Sequence, residues 1–214
     1  MNASKPWVAP ALLIFLLAAC ASSSLAPVLL TLPPAGVSVV GSVGSVAAPV
    51  GGPAAARAMS SVRLLAVRRV NIPEYLVARR VRYRADASTL AEWPNTYWAE
   101  RIEVGVSREF VSALRQQLPA WTMCDSNCAD QVPTLTVQVD LLPMDYLRSA
   151  QKLQAGARIT LSGPGVSPKV IQTVELAYDL PASADTAQAQ AQTMATLIQQ
   201  VAAAAAPIIR AARP

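Results

Sequence analysis

Among side chains that do covalent or acid–base chemistry, this sequence carries a narrow set: three cysteines, no histidine and 13 carboxylates. Without histidine, no Ser-His-Asp or Cys-His system can activate a nucleophile, and no His-ligated zinc site can form. Glu92, Glu100, Asp140 and Asp145 fall into no paired-carboxylate motif, and no Ser-x-x-Lys element is present. A hydrolase or transpeptidase working through a carboxylate pair or a Ser-Lys dyad is therefore the weaker reading. No catalytic residue, metal or cofactor is assigned. The cysteines are more informative. Cys20 ends Leu17-Ala18-Ala19-Cys20 behind the apolar run Trp7–Leu17, and Lys5 precedes that run. Cys124 and Cys128 form a separate close pair.

The run before Cys20 is too short to span a bilayer, which takes about 20 apolar residues. It has the length of a secretory signal's central region, roughly 7–15 residues. An apolar run closing on Leu-Ala-Ala-Cys resembles the lipobox of bacterial lipoproteins. That resemblance implies removal of residues 1–19 and acylation of Cys20 as the new N-terminus; the alternative is an ordinary signal peptide with an incidental cysteine. Several acyl chains on one residue suffice for stable anchoring, at about 0.8 kcal/mol per buried methylene. Residue 21 is Ala rather than the Asp that commonly retains lipoproteins in the inner membrane, so the periplasmic face of the outer membrane is the expected location. In such an oxidising compartment Cys124 and Cys128 read as a disulfide. The rival reading, a metal or redox pair, is weakened by a spacing that is not Cys-x-x-Cys and by the lack of further ligands.

The formal net charge is +5, of which Lys5 contributes one. This is too mild to argue nucleic-acid binding. Residues 20–60 are built of Ser, Ala, Pro, Gly and Val with Arg57 as the lone charge, a composition expected of a flexible stalk. About 40 such residues reach roughly 35 Å root-mean-square. Within it, Val28–Leu32 has the make-up of a short strand that Pro33 stops. One domain is expected over 61–214.

The domain's elements follow from periodicity. Residues 61–73 alternate apolar and basic, as a strand does. Residues 80–85 alternate again, with Val81, Tyr83 and Ala85 on one face and Arg80, Arg82 and Arg84 on the other, a half-exposed strand. The arginines read as a solvated face that blunts a sheet edge, or as a lipid-headgroup or partner contact. Trp98, Ile102, Val106, Phe110, Leu114 and Leu118 recur every fourth residue, predicting a helix from about Thr96 to Leu118; on this reading Trp98 opens the apolar stripe and Glu100 lies in the first turn, at the positive dipole end. Three strands follow, the last two joined as a hairpin at Gly163–Pro168. A closing helix buries Ala187, Ala191, Met194, Ile198, Val201 and Ala205, with Asp185 near its start and Pro207 interrupting its far end. The sum is an α/β or α+β three-layer domain, a mixed β-sheet with helices on both faces.

Two stretches carry a resemblance: Ile72, Pro73, Tyr75 and Leu76 between the first two strands, and Trp98, Ala99 and Glu100 before the long apolar stripe. In this order, behind a lipobox and a Leu29–Pro33 segment, they are similar to the PqiC/YmbA family of ABC-type transport auxiliary lipoproteins. The chain departs from that family in its long stalk and in lacking paired tyrosines near Leu29. The resemblance implies a periplasmic accessory subunit working beside an MCE-domain protein, a permease and an ATPase that move lipids or other organic compounds between two membranes. Pro73, Tyr75, Leu76, Trp98, Glu100 and the Arg80–Arg82–Arg84 row are the candidate partner-contact residues, and self-association into a homo-oligomer through exposed strand edges is a further expectation. An outer-membrane assembly or structural lipoprotein of similar topology is the alternative.

Overall fold

Strict alternation after Pro133 builds the longest strands. Leu135, Val137, Val139 and Leu141 are buried while Thr136, Gln138 and Asp140 are not, which is the pattern of a strand covered on one face. In the computed structural model, which describes residues 26–34, 63–125, 128, 131–165 and 168–212, this strand is β6 of eight. The strands are β1 (Val28–Leu30), β2 (Leu64–Val67), β3 (Arg80–Arg84), β4 (Leu90–Trp98), β5 (Thr122–Asp125), β6 (Leu135–Leu147), β7 (Lys152–Ser162) and β8 (Val170–Pro181). Two helices complete the domain, α1 (Ile102–Gln117) and α2 (Ala187–Ala211). Cys20 and most of the expected stalk lie outside the described residues.

The sheet is mixed, in the order β1-β4-β3-β6-β2-β5, with β7 on the other side of β6 and β8 beyond it. One edge of β6 is shared end to end: β2 pairs in parallel with Leu135–Val137, and β3 meets Leu147. The other edge carries β7 and then β8 as an antiparallel meander, so the hairpin expected around Gly163–Pro168 is present. The short strand expected at Val28–Leu32 also forms, as β1, pairing in parallel with Thr96–Trp98.

Both helices lie over the same face of the sheet. Leu153, Ala155, Ala157, Ile159 and Leu161 of β7 are buried beside the buried row of β6. The reverse face of these two strands carries Gln138, Asp140, Gln154, Arg158 and Thr160, none of them buried. Arg210 in the last turn of α2 donates to the Gln117 carbonyl at the end of α1, 3.2 Å away, so the helices run side by side. Fully buried Ala202, Ala205 and Ala206 permit close packing of α2. The expected mixed sheet is therefore observed, but helices on both faces, and with them three layers, give way to a helix pair on one face of β6–β7.

Two further expectations are corrected. Trp98 is the last residue of β4, not the start of a helix: its amide donates to the Arg79 carbonyl at 2.7 Å, and helical geometry begins at Ile102. Consequently Glu100 precedes the first turn, whose acidic residue is Glu103. Pro207 does not interrupt α2, which continues to Ala211. The helix starts at Thr186, whose hydroxyl accepts from the Ala189 amide at 3.1 Å, an N-cap of the favoured type.

Candidate functional site

The segment between β2 and β3 holds the Ile72–Leu76 motif, and its backbone shows why it has a fixed course. The Asn71 amide donates to the Val139 carbonyl at 3.0 Å, and the Leu141 amide donates to the Asn71 carbonyl at 2.8 Å. The Asn71 side chain donates to Asp140 Oδ1 at 2.5 Å. Pro73 then enters a single 3-10 turn over Glu74–Leu76, closed by the Leu76 amide on the Pro73 carbonyl at 2.9 Å. Leu76 is buried. The motif thus runs along β6 and fills the gap between the parts of that edge held by β2 and β3.

Tyr75 meets β6 at Asp145. Its hydroxyl donates to Asp145 Oδ1 at 2.8 Å, and Arg84 Nη2 reaches the same oxygen at 3.0 Å. The Arg84 guanidinium also lies 5.6 Å from the Tyr75 ring centre, within cation–π range. Arg82 Nη1 donates to the Tyr75 carbonyl at 3.0 Å, and its Nε donates to Glu92 Oε1 at 3.3 Å. Arg80 pairs with Glu92 Oε2 at 3.4 Å and lies over the Tyr97 ring. Burial, and then the Asp145 carboxylate, push the Tyr75 phenol above its ordinary range.

The structure therefore brings Pro73, Tyr75, Leu76, Arg82 and Arg84 together and joins them to Asp145 and Glu92. The arginine row is not a free basic stripe. Arg84 and Asp145 retain only 19% and 15% of their side-chain exposure, whereas Arg80 keeps 49%. Arg80 is the member of the row with most surface to offer. Nor does the Tyr75 hydroxyl point to solvent, since Asp145 takes it up.

Trp98 and Glu100 belong elsewhere. Trp98 is in the core, and Glu100 accepts from Arg108 Nη1 at 2.6 Å on the outside of α1. Glu109 holds the same arginine at Nε, 3.0 Å away. The carboxylates Glu92, Glu100, Asp140 and Asp145 are thus each engaged with a different cationic or amide partner. Cys124, in β5, is bonded to Cys128.

On the helix side lies a cluster that sequence reading missed. Tyr83, Trp93 and Tyr146 stack with ring centres 5.0 and 6.5 Å apart. Arg148 covers Trp93 at 4.4 Å, donates to the Tyr83 hydroxyl at 2.9 Å and pairs with Asp185 at 3.0 Å. Trp93 Nε1 donates to Gln190 Oε1, and Gln190 Nε2 donates to the Arg82 carbonyl, both at 2.7 Å. Gln190, on a helix face that otherwise buries small and apolar residues and Thr193, was the available signal.

These arrangements hold chain segments together, and the fold they define is that of an α/β domain whose polar clusters serve cohesion. The sequence model of the ABC-type transport auxiliary lipoprotein component matches residues 46–206, and the chain belongs to that family. It is an auxiliary lipoprotein component of an ABC-type transport system, and membership implies a non-catalytic role and lipid attachment to a membrane. No curated protein matches the chain. Among solved structures, an uncharacterized protein aligns with TM-score 0.64 at 17% identity, covering 86% of this chain and 99% of the other. Protein XCC0632 from Xanthomonas campestris aligns with TM-score 0.56 at 14% identity, covering 69% and 83%. At such identities the likeness is one of fold.

Proposed function

We propose that the chain is a non-enzymatic accessory subunit of an MCE-type ABC system that moves lipids or related organic compounds between the inner and outer membranes. On this reading residues 1–19 are the signal, Cys20 is the acylated anchor on the periplasmic face of the outer membrane, residues 20–60 are the tether, within which β1 docks on the sheet and Leu30 and Leu32 enter the core, and residues 61–214 are the docking domain. The carrying observation is the match to the auxiliary lipoprotein family over residues 46–206 behind a Leu-Ala-Ala-Cys sequence. A tether raises the local concentration of the domain at a partner, so a modest interface suffices. The partners are an MCE-domain protein, a permease and an ATPase.

The test is affinity capture of the anchored protein from detergent-solubilised envelopes. An MCE-domain protein is expected in the eluate; its absence, together with lipid or peptidoglycan hydrolysis by the purified chain, overturns the reading. Charge reversal of Arg80 is the informative surface variant. Reversing Arg84 would break its internal pair with Asp145 and test the fold instead.

A further inference from the structure

On the outer side of α1, a cleft of about 440 Å³ is lined by Val67, Arg68, Arg69, Val104, Ser107, Arg108, Val111 and Arg115. Its wall is a single helical stripe, since residues 104, 107, 108, 111 and 115 are spaced by threes and fours. Its rim is the chain leaving β2. The two are fastened together: the Val70 amide donates to Ser107 Oγ at 3.0 Å, and that hydroxyl donates to the Glu103 carbonyl at 2.7 Å. This holds Arg68 and Arg69 against the helix.

Four guanidiniums and no carboxylate line the cleft. Arg108 is already matched by Glu100 and Glu109. The guanidiniums of Arg68, Arg69 and Arg115 have no hydrogen-bond or ion-pair partner among the described residues. The N-terminal segments outside the described residues, 1–25 and 35–62, contain no Asp or Glu, so their side chains supply no counter-charge. A concave site of one sign focuses its field and concentrates ligands of the opposite sign. Guanidinium forks match phosphate oxygens in geometry. The cleft also has an apolar part: Val104 is 40% exposed and Val111 half-buried. Planar cations beside unspent aliphatic surface suit an amphiphile better than a bare ion.

We propose that Arg68, Arg69 and Arg115 bind the phosphate of an anionic phospholipid, with Val104 and Val111 receiving the first methylenes of its chains. The inference deepens the lipid-transport reading and rests on it for the choice of ligand.

The probe set for the full, acylated chain in a neutral maltoside detergent is dihexanoyl phosphatidylglycerol, dihexanoyl phosphatidylcholine and sn-glycerol 1-phosphate, followed by titration calorimetry. Saturable binding of phosphatidylglycerol is expected, at least tenfold tighter than either other probe. R68Q/R69Q/R115Q should weaken it tenfold or more, V104S several-fold, and R158Q, on the opposite face of the sheet, not at all. Bound phosphatidylglycerol should also shield the three arginines from phenylglyoxal, read by peptide mass spectrometry. Equal affinity for glycerol phosphate would reduce the site to a free-phosphate site and overturn the lipid assignment. Equal affinity for phosphatidylcholine, no binding, or an unaffected triple variant would overturn the cleft. Loss of MCE capture by the triple variant, with no lipid bound by the wild type, would make the cleft a protein contact and also overturn it. Because these titrations use the isolated chain, their failure leaves the capture experiment standing, and the reverse holds too.

Discussion

Asp145 shows how much rests on one oxygen, since both the Tyr75 hydroxyl and the Arg84 guanidinium end on its Oδ1. Removing Tyr75's hydroxyl takes away one donor and leaves Asp145 paired, so Tyr75→Phe should cost about 1 kcal/mol. Asp145→Ala strands a mostly covered guanidinium and should cost about 2–3 kcal/mol, between the surface and buried cases. Urea unfolding at pH 7 checks the order; equal effects would mean that the pair contributes nothing. The alkaline limb carries a second signature. Tyr75 titrates higher in the fold than outside it, because of burial and then Asp145. Its contribution is therefore full below the unfolded value of about 10 and fades as pH climbs through the folded one. Tyr75→Phe should flatten part of the stability loss above about pH 10, while Tyr146 and Tyr178, also raised by burial, keep the remainder. Unfolding midpoints at pH 8 and pH 11 measure this. The sequence offered Tyr75 and Arg84 but not their partner, because a contact between residues 70 positions apart leaves no local periodicity.

At the scale of elements, the readable parts were those whose packing is regular. The period-2 rows of β6 and β7, the fourfold stripe of α1 from Ile102 onward and the small-residue face of α2 all follow from one-sided burial. The same alternation already implied a sheet open on one face, so the extra helix layer went against the pattern. β4 was illegible for a local reason. It contains Pro94 and Asn95, the latter at φ 48°, which are turn residues; the register against β3 shifts there, between Arg80 and Arg82, and this turns Trp93 into the core. A strand that carries its own kink reads as a loop. Gln190 fastens that kink to α2 through two hydrogen bonds, so Gln190→Leu should cost about 2–3 kcal/mol by orphaning the Trp93 N–H and the Arg82 carbonyl. Thermal unfolding and Trp fluorescence read the loss and the altered ring environment. Gly156 is a second such point. It faces the bulge at Leu142–Pro143, and an added Cβ would lie 2.6 Å from the Leu142 carbonyl oxygen. Gly156→Ala should therefore destabilise by about 1–3 kcal/mol.

At the scale of the molecule, the proposed function separates what folds from what is tethered. Among the described residues the first core side chains in the chain are Leu30 and Leu32, so residue 21 lies ahead of the core in sequence, and the Cys124–Cys128 bond fastens β5 locally, at about 2 kcal/mol for so small a loop. Moving the anchor should therefore leave folding alone and change only where the domain meets its partner. Ala21→Asp keeps Cys20 and its acylation but supplies the residue associated with retention at the inner membrane. The variant should shift from outer- to inner-membrane fractions on a density gradient, with unfolding midpoint and disulfide unchanged. If the domain docks on the part of the transporter nearest the outer membrane, MCE capture should fall several-fold, because the tether then concentrates it at the wrong end. If capture is unchanged while the fractions shift, docking is within reach of either membrane and the outer-membrane placement has no functional weight. If the fractions do not shift, Cys20 is not the anchor that sets location, and mass spectrometry of the mature N-terminal peptide will show cleavage elsewhere.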